Sequence, residues 1–389
     1  MRNRIHPIVP PILFVLIALL FNPAFAADAP TTVPIDQLLK DAGAGDTKAM
    51  CTLGVNYLTG RGVKQDDVEA AKWFRKAADG GNSEAMTNLA VLHRIGRGVP
   101  KDPAEAVKWY AKAADAGDAR AMLGLYIMYR NGEGVERDDA KAIEWCNKSA
   151  DAGNGEAMFE LALMRLQGIG GARDAEAGAK LARRSADAGF VNGMLLLAQL
   201  YDEGVGVTKD EKQAAQWVVA AAKAGSPAAM TKLGERFMSG KGVPKNPESA
   251  IKLFEKSAEA GDPGAARNLG FAYLAGMGVS KDEVKAANAF RAAAEAGDVV
   301  AMGNLGALYM SGTGLPKDPR RGFQWFKKSA EAGDANGMYN LARLYETGDS
   351  GQKNIAEAIK WYKKAADAGN PDAATQLRKL QAIQKDAQP

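Results

Sequence analysis

Small and apolar residues return in a fixed order every 36 residues along this chain. A small–Met pair marks each period, at Ala49-Met50, Ala85-Met86, Ala121-Met122, Ala157-Met158, Gly193-Met194, Ala229-Met230, Ala301-Met302 and Gly337-Met338. Ala265-Ala266 and Ala373-Ala374 fall in the same phase. Nine full periods fill residues 49–372 without insertion or deletion. Counting each from its small–Met pair, Leu stands at position 5, a small residue at 6 and usually an aromatic at 9. In the first period these are Leu53, Gly54 and Tyr57. Such spacing keeps them on one face of a helix and predicts a first helix over positions 1–11. Tyr126 breaks the small-residue rule at position 6, so the third period must pack differently around it.

Polar and glycine positions supply the punctuation. Gly at position 12, from Gly60 to Gly348, closes the first helix in all nine periods, because glycine tolerates the left-handed conformation of a helix end. A second Gly follows at position 14 in eight periods, with Ser350 as the exception. Position 18 is Asp or Asn in every period, from Asp66 to Asn354. A short acceptor there caps a second helix. Pro103, Pro247 and Pro319 follow where Pro is tolerated. Glu69, Glu105, Gln213 and Glu357 are placed to complete capping boxes. Gly at position 33 ends this helix, from Gly81 to Gly369. The unit is a helical hairpin, and a repeat of this length predicts a solenoid. Residues 32–48 read as a lone second helix capping the front. Residues 373–386 read as a lone first helix capping the back, with Arg378 and Lys379 outward.

The pattern Ala49, Leu53, Gly54, Tyr57, Gly60, Gly62, Val63, then Asp66, Ala70, Trp73, Lys76, Ala77, Ala78, Gly81 resembles the Sel-one-like repeat (SLR) family, a relative of the tetratricopeptide repeats. The resemblance covers all nine periods. It implies an all-α, right-handed α/α superhelical solenoid of nine 36-residue helix-turn-helix repeats with half-repeat caps. It also implies that the first helices line a concave inner face, and that exported bacterial members act as adaptors. A cysteine-rich branch of the family is associated with β-lactam chemistry. Its repeats carry paired cysteines, which this chain lacks, so that activity is not carried over.

The N-terminus changes the picture of where the chain works. Arg2 and Arg4, an apolar run from Pro11 to Phe21, and Ala24-Phe25-Ala26 form a secretory leader pattern over residues 1–26, with cleavage expected before Ala27. A linker and the front cap then occupy 27–48, the repeats 49–372, and the back cap and tail 373–389. The apolar run is shorter than the roughly 20 residues of a spanning helix. No later segment is long enough, and no Cys follows the cleavage site to carry a lipid anchor. The expectation is an exported soluble chain, periplasmic or, alternatively, secreted. Without Arg2 and Arg4 the 50 basic residues fall to 48 against 46 acidic, or +2, with no basic block, and export removes nucleic acid from reach.

Candidate chemistry is sparse. Cys51 and Cys146 lie more than two periods apart and read as small buried residues rather than a disulfide. Gly60-Arg61-Gly62 follows a helix and recurs throughout, so it reads as helix termination and not a phosphate loop. All six Trp residues (Trp73, Trp109, Trp145, Trp217, Trp325, Trp361) occupy position 25, a repeated slot with a repeated packing role. Met at position 2 is a core stripe. The one His of the mature chain, His93, takes the Tyr slot at position 9. A metal cluster or a His-based triad is poorly supplied, and the carboxylates at position 18 are engaged in capping. No catalytic residue, metal or cofactor is expected, and no polar cluster stands outside the repeat rules.

If the first helices line the inside, positions 3, 4, 7, 10 and 11 face a groove. In early repeats these are apolar: Val55, Leu58, Val91, Leu123, Ile127, Phe159, Leu163 and Leu166, flanked by Arg94 and Arg130. Either they form an exposed protein-binding patch, or curvature buries them against the adjacent repeat. Position 4 carries Asn88, Asn268, Asn304 and Asn340. These amides either pair with the backbone of an extended peptide or satisfy groups between repeats. Later groove positions are mixed: Glu235, Arg267, Phe271, Tyr339, Arg343 and Glu346. The expected function is a non-enzymatic adaptor of the bacterial envelope that binds a protein or extended peptide. The alternatives are a cell-wall-fragment binder or envelope enzyme, and a secreted factor that binds a host protein.

Overall fold

The computed structural model describes residues 33–351 and 353–386. The expected leader and its cleavage site lie outside the described residues. Those residues contain twenty helices and no strand, an all-α repeat solenoid. The chain divides into two compact units, with the division inside one helix. The first unit holds α1 (Ile35–Gly43), α2 (Thr47–Thr59), α3 (Asp67–Asp79), α4 (Ser83–Ile95), α5 (Pro103–Asp115), α6 (Ala119–Asn131), α7 (Asp139–Asp151) and most of α8 (Gly155–Gln167). The second holds α9 (Ala175–Asp187), α10 (Val191–Glu203), α11 (Glu211–Lys223), α12 (Pro227–Ser239), α13 (Pro247–Glu259), α14 (Pro263–Ala275), α15 (Glu283–Glu295), α16 (Val299–Ser311), α17 (Pro319–Glu331), α18 (Ala335–Thr347), α19 (Ile355–Asp367) and α20 (Ala373–Asp386).

The first helix of each repeat begins two residues earlier than the small–Met pair. It is nucleated by a column of caps at position 34. Asp46, Asn82, Asp118, Asn154, Ser226, Asp262, Asp298 and Asp334 each accept an amide hydrogen of the following turn. Phe190 holds this position without a side-chain cap. Position 18 caps all nine second helices as expected. Each such cap contributes about 1 kcal/mol to its helix. The reciprocal half of the capping box does not form at Glu69, Glu105 or Glu357. The cap amide instead donates to the carbonyl at position 9, as Asp66 does to Tyr57 and Asp102 to His93 (2.9 and 2.8 Å). The three glutamates turn outward to Lys72, Lys108 and Lys360.

Glycine at position 14 has a second task beyond closing a helix. A Cβ on Gly98 would lie 2.0 Å from the carbonyl oxygen of Asp67, and one on Gly206 would lie 1.9 Å from that of Ala175. The loop of one repeat is therefore pressed against the second helix of the preceding repeat. Within a repeat, size is traded between positions 6 and 26. Gly54 meets Phe74, and Gly234, Gly270 and Gly306 meet Phe254, Phe290 and Phe326. The third repeat reverses the pair: Tyr126 is large and Cys146 small, and both are buried. The core runs as a succession of such contacts, as in the cluster from Cys51 through Phe74, Leu89 and Tyr110 to Met128.

Candidate functional site

The first helices divide their outer positions between stacking and exposure. Position 3 is largely consumed by neighbours. Thr87 Oγ1 donates to Asp118 (3.0 Å), Thr231 Oγ1 to Asp262 (3.2 Å) and Arg267 Nη1 to Asp298 (2.7 Å). Each ties a first helix to the cap of the next. The exposed or half-buried stripe comprises positions 7 and 11 with positions 4 and 36, apart from Ile127, Asn88, Gly124 and Leu196, which are buried. Thr59, Asn131, Glu203, Ser239 and Thr347 at position 11 are exposed, as are Glu235, Phe271, Ala307 and Arg343 at position 7.

The expected binding residues separate accordingly. Leu123 and Ile127 are 2% and 7% exposed, so neighbouring side chains cover them and they leave the candidate surface. Arg94 also leaves it. It is 5% exposed, with Nε and Nη2 donating to the two carboxylate oxygens of Glu133 (2.7 and 3.2 Å). Burial pushes Glu133 up, but the hydrogen bonds from Arg94 and Asn131 outweigh it and hold the carboxyl low. Val91, Arg130, Phe159, Leu163 and Leu166 remain half-buried, as do Val55 and Leu58. The apolar positions thus divide: Leu123 and Ile127 are covered, and the others stay half-buried.

The asparagines do not form one uniform ladder. Asn88 is buried and its amide reaches the Cys51 thiol (3.9 Å). Asn268 donates to Glu235 of the preceding repeat (3.0 Å). Asn304 donates to the Val300 carbonyl of its own helix (2.9 Å), and Asn340 is half-buried. Nearby, Phe271 and Val300 are 37% and 47% exposed.

A polar cluster outside the repeat rules forms around the reversed pair of the third repeat. Arg130 Nη1 donates to Tyr126 Oη, and Tyr126 Oη donates to Glu160 Oε2 (3.2 Å). Arg130 lies 3.6 Å from the same carboxylate. Glu156 stands one turn before Glu160. Burial, and then the Glu160 charge, raise its carboxyl to about 7. Burial also raises Glu160, against the opposing pull of Arg130 and Tyr126. The only prior sign was Tyr126 at a small position. Nothing in residue spacing alone put its hydroxyl against Glu160.

The other singled-out residues take structural places. His93 is buried in its Tyr slot, and neither ring nitrogen has a hydrogen-bond partner among the described residues. Burial pushes the thiols of Cys51 and Cys146 up to about 12, which leaves them protonated and unreactive near neutrality. Trp109 and Trp361 are buried, and Trp73, Trp145, Trp217 and Trp325 are half-buried. Five indoles lie beneath the Lys three residues on, at 4.1–4.3 Å from the ring centroid. Residue spacing placed the indoles in the core but not the lysines over them; the Trp-x-x-Lys pattern was the available signal. Among the described residues no group of His, Cys, Asp and Glu could hold a metal ion, and no helix is long and apolar enough to cross a membrane.

Comparison with known proteins bears on this geometry. The Sel1 repeat family matches nine times, at residues 47–82, 83–118, 117–154, 155–190, 191–226, 227–262, 263–298, 299–334 and 335–370. Eight of the nine matched repeats begin at the first residue of the first helix rather than at the small–Met pair. A protective antigen present in uropathogenic Escherichia coli strains, displaying an SLR fold, is similar at 33% identity and a TM-score of 0.68, covering 92% of this chain and 78% of that one. A Sel1 repeat protein from Oxalobacter formigenes is similar at 30% identity and a TM-score of 0.57, covering 82% of this chain and 92% of that one. No curated protein matches the chain.

Proposed function

Because the chain belongs to the Sel1 repeat family, whose members are generally non-catalytic protein–protein interaction scaffolds, we propose that it is an adaptor of the bacterial envelope that holds a protein or extended peptide on the exposed stripe of its first helices. One observation carries this reading. Nearly every buried position has a stacking or capping task set by its phase, while positions 7 and 11 of the first helices repeatedly stay open. Partly exposed apolar side chains with a charged rim are the usual composition of a protein-binding surface. In the first unit Val91, Phe159 and Leu163, with Arg130 beside them, supply that composition. In the second, Phe271 does so with Asn268, Asn304 and Asn340.

The leader pattern at residues 1–26 supports an envelope location. A secreted factor that binds a host protein is the second reading, favoured by the likeness to the uropathogenic antigen. Fractionating producing cells from their medium separates the two. For the binding itself, Leu163→Lys is expected to lower capture of the cellular partner at least tenfold, with helicity by circular dichroism unchanged. Undiminished capture removes this part of the stripe from the proposal.

A further inference from the structure

Resting on the scaffold reading, we infer that the α8 face takes a basic–apolar peptide segment. A large apolar side chain lies against Phe159 and Leu163, and the ammonium or guanidinium of a nearby Lys or Arg lies against Glu156 and Glu160. Glu156, Phe159, Glu160 and Leu163 follow at i, i+3, i+4 and i+7, so one face of one helix carries all four. All four are half-buried. The charges on this face do not balance. Two carboxylates stand one turn apart, and the Arg130 guanidinium lies 3.6 Å from Glu160. The described residues show no hydrogen bond or ion pair to Glu156, and its two dominant influences, burial and the Glu160 charge, both oppose ionisation. A cation from outside offsets the Glu160 repulsion and gives the buried carboxylate an ion-pair partner in place of water. An acidic segment would add to the repulsion, and a neutral one would deepen the burial without compensating for it.

The same place is where the array departs from its own rules. Tyr126 and Cys146 exchange the sizes found at positions 6 and 26 in Gly54 with Phe74, Gly234 with Phe254, Gly270 with Phe290 and Gly306 with Phe326. The exchange brings the Tyr126 hydroxyl to Glu160. Local breaches of an otherwise consistent pattern are where function is expected. The distance also suits a short motif. Seven residues of helix advance about 10 Å, which about three residues of extended peptide span.

A random heptapeptide display library, selected on the purified full chain, tests this. Selected sequences are expected to carry Lys or Arg within three residues of Leu, Ile, Phe, Met or Trp. Fluorescein-labelled copies should bind Glu156→Gln at least tenfold more weakly, with helicity unchanged. Replacing their basic residue by Glu should abolish binding to the wild type and restore it to Glu156→Lys. Selected peptides without a basic preference, or with equal affinity for Glu156→Gln, overturn the inference and leave the scaffold reading standing. Capture of no peptide overturns it too. If Leu163→Lys then also retains the cellular partner, the scaffold reading of this face falls with it.

Discussion

Burial, and then the neighbouring Glu160 charge, hold the Glu156 carboxyl well above its ordinary value. A carboxyl whose folded value is raised binds its proton more tightly in the folded state. Its contribution is therefore present below the unfolded value and is lost as pH rises through about 7. Glu156→Gln removes that loss. The variant is expected to match the wild type near pH 4 and to exceed it above pH 7, by up to about 3 kcal/mol. Urea titrations at several pH values measure the difference, and parallel stability curves would contradict it. How much of this scale can be read from residue order varies by residue. Leu53, Gly60, Asp66 and Trp73 declare their tasks by recurrence. Leu123 and Ile127 have the same phase as open positions elsewhere, yet are covered, because burial depends on the size of neighbours in the next repeat. The tie from Arg94 to Glu133 spans 39 residues, as do those from Lys241 to Asp202 and from Arg97 to the Leu58 carbonyl; the repeat brings these two positions together, but the side chains on them vary in type and so do not stand out in the sequence.

At the scale of the element, two devices join helices into an array. The glycine at position 14 lets a loop press on backbone. Gly206→Ala would place a methyl 1.9 Å from the Ala175 carbonyl oxygen, whereas Gly225, equally left-handed, has nothing within 4 Å. Gly225→Ala is expected to cost about 1–2 kcal/mol, the penalty of a left-handed conformation alone. Gly206→Ala should cost clearly more in the same denaturation experiment, and equal costs would refute the stacking role. The second device is complementary size at positions 6 and 26. Tyr126→Ala should cost about 3–5 kcal/mol by leaving a cavity, and adding Cys146→Phe should recover a large part of it. Strict additivity of the two changes would show that the side chains do not share one space. Helix order and hairpin boundaries were legible because caps and glycines act locally. The first-helix starts were misplaced by two residues because the small–Met pair is the conspicuous mark, while the caps at Asp46, Asn82 and Asp118 are varied in type and so less visible. The reversed pair could be half seen: Tyr126 announced the anomaly, and only three-dimensional packing showed Cys146 as its compensation.

For the molecule as a whole, each repeat is stabilised through its immediate neighbours, so perturbations should fade along the array. In hydrogen exchange, Gly206→Ala is expected to loosen α9 to α11 and leave α2, α3 and α19 at wild-type protection. Uniform loosening would mean that the chain opens as one block. The second helices present Lys72, Lys108, Lys180, Lys252 and Lys360 to solvent, and their indoles lie beneath lysines or within the core. On the proposed reading, the first helices are the binding side. Photo-crosslinking in producing cells tests this most directly. A photoreactive amino acid is placed in turn at position 7 (Val55, Val91, Leu163, Glu235, Phe271, Arg343) and at those five lysines. The account predicts adducts with another protein from position 7 alone. Adducts from the lysine sites and none from position 7 would contradict it.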